Sequence, residues 1–336
     1  MACQLVFVDT GLPGIRRKRA GRGWAYYTPE GQRIVEREEI DRLNAVGLPP
    51  AYRNAWFCTC ADGHILATGI DARGRKQYRY HPLFRTERDC LKFDALARFG
   101  TLLPRIRRRV ATDITARGLT RERAIACVVR LLDQAALRVG NEAYTRSNKS
   151  FGATTLRMRH VAVVGRALRL RFRAKSGKMR ETLLTDRGLL RFVRAMQDLR
   201  GQHLFQFLGE DGQPVPVDSG DVNDYLRATL GEDFTAKHFR TWAATVQAFE
   251  LVRHAPGTVT MKEMLAHVAE RLGNTPAIAR KSYIHPALLR LAGDAAAQQE
   301  LRLTPLPRST RWLSRAERGL IAFLEKAPDT ATLLAA

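Results

Sequence analysis

The chain has 336 residues, 45% of them hydrophobic, which is enough for two domains with a sizeable core and too apolar for a disordered tail. Fifty-six Lys and Arg against thirty-three Asp and Glu leave a formal charge of +23, which calls for a polyanionic partner, nucleic acid first. The basic excess is mostly arginine, whose planar guanidinium suits bidentate phosphate contacts.

The N-terminal stretch MACQLVFVDTG has its short apolar run before the basic residues, the wrong order and length for a secretory leader. No apolar run is long enough to span a membrane. The cysteines Cys3, Cys58, Cys60, Cys90 and Cys127 are odd in number and form no CxxC pair. Cys58-x-Cys60 alone is a weak metal signal, so reduced thiols in a cytosolic setting are expected.

Residues 1–88 read as β-rich. GWAYYTPEGQRI and AWFCTCADGHILATGI each read as strand, turn, strand. IDARGRKQYRYHP then alternates aromatic with basic residues, either a nucleic-acid-facing strand or an edge strand with one solvated face. From residue 89 the period turns helical. LKFDALARFGTLLPRIRRRVATDI predicts a helix kinked at Pro104. RERAIACVVRLLDQAALRVGNEAY predicts another that Arg138 closes ahead of Gly140.

A β insert follows. ALRLRFRAKSGKMRETLL alternates strictly, with Leu168, Leu170, Phe172 and Ala174 on one face and Arg169, Arg171, Arg173 and Lys175 on the other. Ser176-Gly177 reads as a two-residue tip, which puts Lys175 at the end of a basic face on a projecting hairpin. Helices resume over TDRGLLRFVRAMQDLR, residues 218–230 and TAKHFRTWAATVQAFELVR. Thr260-x-x-Glu263 is a capping box whose helix Gly273 closes. Thr275-Pro276 opens a short helix before Tyr283, and Ser314-x-x-Glu317 opens a last one.

There is no GxxxxGK[ST], no HExxH, no zinc knuckle, no dense acidic cluster and no G-x-S-x-G elbow. Phosphodiester chemistry would therefore fall to side chains alone. Attack on a backbone phosphate builds charge on the non-bridging oxygens, which guanidinium groups and neutral donors must offset. A tyrosine nucleophile, with an ordinary pKa of about 10, gains from nearby arginines. A lysine on a movable hairpin could protonate the 5′ leaving oxygen. Arg138, Lys175, Arg240, Asn274 and Tyr283 are candidates for these parts. Spacing alone does not select them from the many other basic residues.

ALRVGNEAY (136–144), RAKSGK (173–178), KHFRTWAAT (237–245), GNTPAIARKSYIHP (273–286) and GHILATGIDARGRKQYRYHP (63–82) together resemble the type IB DNA topoisomerases of bacteria and poxviruses. The similarity runs in order through nearly the whole chain. It implies an α+β fold: a small β-rich domain over residues 1–88 and a larger, mainly helical catalytic domain over 89–336. That larger domain would have the tyrosine recombinase/type IB topoisomerase fold with a β-hairpin insert, and the two domains would close on duplex DNA as a C-clamp.

By the resemblance, Tyr283 is the nucleophile that forms a 3′-phosphotyrosyl bond. Arg138 and Arg240 serve the non-bridging oxygens, and Lys175 is the general acid, with Lys178 on the same turn as the alternative. Asn274 falls where many relatives have histidine; it can donate a hydrogen bond but cannot shuttle a proton. Arg75, Gln77, Tyr78, Tyr80 and Tyr144 match DNA contacts. Double-stranded DNA is the implied partner, with no metal, no ATP and no other cofactor. A monomer in the cytoplasm at the nucleoid, without an obligate protein partner, is expected. A tyrosine recombinase is the nearest rival, but its usual histidine three residues before the second arginine is Lys237 here, with His238 out of place. A non-enzymatic DNA-binding protein of the same fold is the other.

Overall fold

The computed structural model describes residues 5–197 and 202–335. It divides into two compact units, the first ending at Leu91 and the second beginning at Lys92. The 32-residue helix Pro82–Asp113 runs through that boundary and continues as one element past Pro104.

In the first unit five antiparallel strands form one sheet, in the order Gly23–Tyr27, Ile15–Ala20, Arg53–Phe57, Ile65–Ile70 and Lys76–Tyr80. Its core is Ile15, Tyr26, Ile34, Leu43, Leu48, Phe57 and Ala67, with Leu43 supplied by the helix Arg37–Ala45. The strand pair expected over residues 55–70 is present. That expected within GWAYYTPEGQRI is not: after the turn, Arg33 makes only a single bridge to Tyr27. The Gly23–Tyr27 strand pairs instead with the preceding Ile15–Ala20. Arg-rich as it is, that earlier segment buries Ile15.

The second unit has a continuous helical core with a three-stranded antiparallel sheet beside it, Val161–Val164, Ala167–Arg173 and Met179–Leu184. The middle strand buries Leu168, Leu170 and Phe172 and exposes Arg169, Arg171 and Arg173, as the alternation requires. The chain turns through three residues, Lys175–Gly177, rather than two. Ser176 and Gly177 both take positive φ, 64° and 77°, and the Ala174 N–H closes the turn on the Lys178 carbonyl at 2.8 Å.

The helix expected from residue 185 spans Arg187–Met196; the last residues of that stretch lie outside the described residues, as does Cys3. The Thr260/Glu263 capping box caps Met261–Leu272, and Gly273 ends it at φ 64°. The Ser314 box opens Arg315–Leu324, but Thr330–Ala335 forms a further helix after it. That helix buries Leu333, while the Asp94 carboxylate accepts from the Thr330 N–H. Among the described residues no helix is long and apolar enough to cross a membrane.

Candidate active site

Two helix ends build this site. The first helix, Arg121–Ala135, stops earlier than its apolar stripe suggests, because Ala136 adopts a left-handed conformation at φ 48°. Arg138 therefore does not close a helix. It lies in the irregular segment after it, pinned by backbone bonds from Ala153 N–H to the Arg138 carbonyl at 2.8 Å and from Thr154 N–H to the Val139 carbonyl at 2.7 Å. Gly140, at φ 101°, lets this segment press on Gly152, where a side chain would meet the Gly140 backbone at 2.6 Å. The second end is that of Met261–Leu272, where Gly273 turns the chain so that Asn274 follows at once.

Helix C-terminal carbonyls lack intrahelical donors and carry partial negative charge. Here they face guanidinium groups. Arg240, on the helix Ala236–His254, is only 3% exposed. It donates to the carbonyls of Ala136 and Leu272, the latter at 3.2 Å. A buried cation is costly unless it is matched in this way. Its helix is also fixed through Trp242, whose Nε1–H donates to Glu317 at 3.2 Å within the Arg107–Asp133–Glu317 ion cluster.

Tyr283 follows the seven-residue helix Pro276–Ser282, capped by the Thr275 hydroxyl and begun by Pro276. Thr245 Oγ1 holds its backbone, bonding the Tyr283 carbonyl at 3.2 Å and accepting from the His285 N–H at 3.3 Å. Burial drives His285 down to about 4, so a neutral imidazole caps the next helix, Pro286–Leu291, by accepting from the Ala287 N–H.

The half-buried Tyr283 ring lies under Arg240, whose guanidinium carbon is 4.9 Å from the ring centroid. Burial pushes the phenol pKa up, but the charge of Arg240 and its hydrogen bonding to the phenol, with the charges of Arg138 and Lys237 behind them, outweigh burial and leave it below the ordinary tyrosine value. Arg138 donates to the Asn274 side-chain oxygen at 2.5 Å. Two buried donors in this pocket, Arg240 Nε and the Asn274 amide nitrogen, have no hydrogen-bond partner among the described residues. An acceptor brought from outside would pair with both.

Four of the five candidates, Arg138, Arg240, Asn274 and Tyr283, are therefore linked. The fifth is apart: Lys175 is exposed on its turn and makes no hydrogen bond to the other four. Lys178 lines a cavity of about 660 Å³ together with Arg138, Ala174 and Gly273. Arg180, on the same hairpin, is absent from the residues picked by sequence. It donates to the carbonyls of Ala135 at 2.6 Å and Leu272 at 3.0 Å, the very helix ends described above.

In the first unit, Lys76–Tyr80 is an edge strand of the sheet, as one of the two sequence readings of that segment has it. Tyr78 and Tyr80 are exposed and stacked, with centroids 5.9 Å apart, and Tyr80 stacks in turn on Phe84 at 5.5 Å. Arg75 and Gln77 are held differently. Both donate to Asp71 Oδ2, at 2.8 Å and 3.0 Å, and the Arg75 bonds hold that carboxyl down to about 2. Tyr144 is half-buried on the helix Glu142–Asn148 of the second unit.

Residues 81–300 match the family described as eukaryotic DNA topoisomerase I, catalytic core, and residues 23–71 match the bacterial DNA topoisomerase IB N-terminal domain. A DNA topoisomerase 1B of Acanthamoeba polyphaga mimivirus is 29% identical over 294 residues, covering 83% of this chain and 88% of that protein. A DNA topoisomerase 1 of Mycosarcoma maydis is 27% identical over 246 residues, covering 66% of this chain but 23% of that longer protein. Among solved structures, the XerH site-specific recombinase in its post-cleavage complex with a palindromic difH substrate aligns at TM-score 0.37 and 15% identity, over 54% of this chain and 47% of that one. That is too low to carry an argument.

Proposed function

The chain belongs to the type IB DNA topoisomerases, and from that premise we propose that it relaxes supercoiled duplex DNA through a transient bond between Tyr283 and a 3′ phosphate. The observation that carries the reading is the pair of buried donors unpartnered among the described residues, Arg240 Nε and the Asn274 amide, beside a tyrosine whose phenol is held below its ordinary pKa. A phosphate seated there would give both donors an acceptor and place its phosphorus next to the phenol.

In the proposed step Tyr283 loses its phenolic proton to solvent and its oxygen attacks the phosphorus. The new P–O bond replaces the bond to O5′, whose electron pair takes a proton from the Lys175 ammonium. Arg138 and Arg240 offset the charge on the non-bridging oxygens, and Asn274 adds a neutral donor. The cut strand rotates about its partner, and the 5′ hydroxyl then reverses the attack. The phosphotyrosine keeps the bond energy of the phosphodiester, so supercoiling supplies the driving force, and neither ATP nor a metal ion is required. The exposed Tyr78–Tyr80 face serves duplex binding, where rings pack on sugar or base beside basic residues. A monomer acting in the cytoplasm at the nucleoid is part of the same proposal.

Purified protein should relax supercoiled plasmid in EDTA without ATP, and Tyr283→Phe should bind DNA at near-normal affinity without relaxing it. Relaxation by Tyr283→Phe, or none by the natural chain until a metal ion or ATP is added, would contradict the reading.

A further inference from the structure

Lys175 poses a problem of placement. A general acid must stand within hydrogen-bond reach of the leaving oxygen, yet this lysine lies on an exposed three-residue turn away from the pocket's own hydrogen bonds. Something has to set the hairpin relative to Arg138, Asn274 and Tyr283.

Arg180 is placed to do so. It lies five residues beyond Lys175, in register with Phe172 on the sheet's inner face. From there its guanidinium reaches Ala135 O at 2.6 Å, Leu272 O at 3.0 Å and Arg271 O at 3.4 Å. Ala135 lies three residues before Arg138, and Leu272 lies two before Asn274. One side chain thus joins the lysine hairpin to both helix ends that carry the phosphate-side residues. Leu272 O also accepts from Arg240, so the two arginines meet at one carbonyl. The cation does this at a cost. Burial, and the nearby charges of Arg240, Arg138 and Arg271, press its pKa down to about 10, which still leaves it charged near neutral pH.

We propose that Arg180 is a positioning residue, which fixes the Lys175 hairpin against the Ala135 and Leu272 carbonyls and so sets the lysine where the 5′ oxygen departs. This rests on the proposed roles of Tyr283 and Lys175. It differs from a merely structural role in one respect: the phosphate side keeps its own tie, because Arg240 remains on Ala136 and Leu272. Loss of Arg180 should therefore fall on proton delivery and spare nucleophile and phosphate.

Single-turnover cleavage of a duplex with an ordinary 5′ oxygen, and of the same duplex with a 5′ sulfur that needs no proton, separates the cases. Arg180→Met should cut the oxygen substrate about ten- to a hundredfold more slowly, the scale of a displaced reacting group. It should cut the sulfur substrate within about threefold of the natural chain, as general-acid loss requires. Arg180→Lys, which retains a cation and is the variant less prone to misfold, should fall between, with the same preference for sulfur. Equal slowing on both substrates, or no slowing on oxygen, would overturn the inference. Lys175→Ala is the control: if sulfur does not rescue it, the assignment of Lys175 as the acid fails first, and the role of Arg180 with it.

Discussion

Tyr283, Arg240 and Asn274 lie in or against the helical core, each placed by a helix end, a cap or a backbone carbonyl, whereas Lys175 stands in solvent on a turn with positive φ at Ser176 and Gly177. The contrast fits what each group would do in the proposed step. Groups that stabilise developing charge work best when held rigid in a dry setting, because nothing then has to reorganise during reaction. In the proposed mechanism the acid is needed at only one oxygen, which leaves when the strand swivels. A group on a projecting turn can serve it without walling in the DNA.

Substitutions should break the two regions in different ways. Among substitutions that keep the nucleophile, Arg240→Ala should have the largest effect, slowing cleavage about a hundred- to a thousandfold as for other lost charge-stabilising donors. A 5′-sulfur substrate should not rescue it, unlike Lys175→Ala. It should also lower the melting temperature, since Arg240 matches the carbonyls of Ala136 and Leu272. Rescue of Arg240→Ala by sulfur would erase the distinction between pocket and hairpin.

Asn274→Ala should slow cleavage about tenfold, in line with the loss of one neutral hydrogen-bond donor. It also removes the acceptor that Arg138 uses at 2.5 Å. Full activity in single-turnover assays would remove Asn274 from the site.

The smallest effect sharpens the comparison through pH. Arg240, Arg138 and Lys237 together hold the Tyr283 phenol below its ordinary value of 10.0 against the opposing effect of burial. In the proposed step the phenolate attacks, so cleavage of a 5′-sulfur substrate should rise with pH to an inflection below that value. Lys237→Gln removes one positive charge, disfavours phenolate and should move the inflection up. A profile that stays in place would show that Lys237 does not act on Tyr283.

The sequence made one of these regions far easier to read than the other. The hairpin follows from strict alternation over residues 168–175, and the capping boxes at Thr260 and Ser314 announce their helices through spacing alone. Those signals are local. The pocket is not, because its contacts join residues 136, 138, 240, 272, 274 and 283, and only the resemblance picked its members from so many basic residues. Two features escaped even that. Nothing in the run AALRVG marks Ala136 as the left-handed residue that ends the helix and frees Arg138. Nothing local distinguishes Arg180 from the other basic residues of its hairpin, since its partners are carbonyls 45 and 92 residues away. Likewise, Arg75 and Gln77 match a DNA-contact pattern, but their shared anchor on Asp71 appears only in three dimensions.

The central claim is that Tyr283 takes the 3′ phosphate. The direct measurement is to cleave a suicide duplex, trap the protein–DNA adduct with detergent and map the DNA-bearing peptide. The account expects one adduct, through Tyr283 to the 3′ end of the cut strand with a free 5′ hydroxyl on the other fragment, and none with Tyr283→Phe. An adduct through another residue, an adduct on the 5′ end, or one that persists in Tyr283→Phe would contradict it.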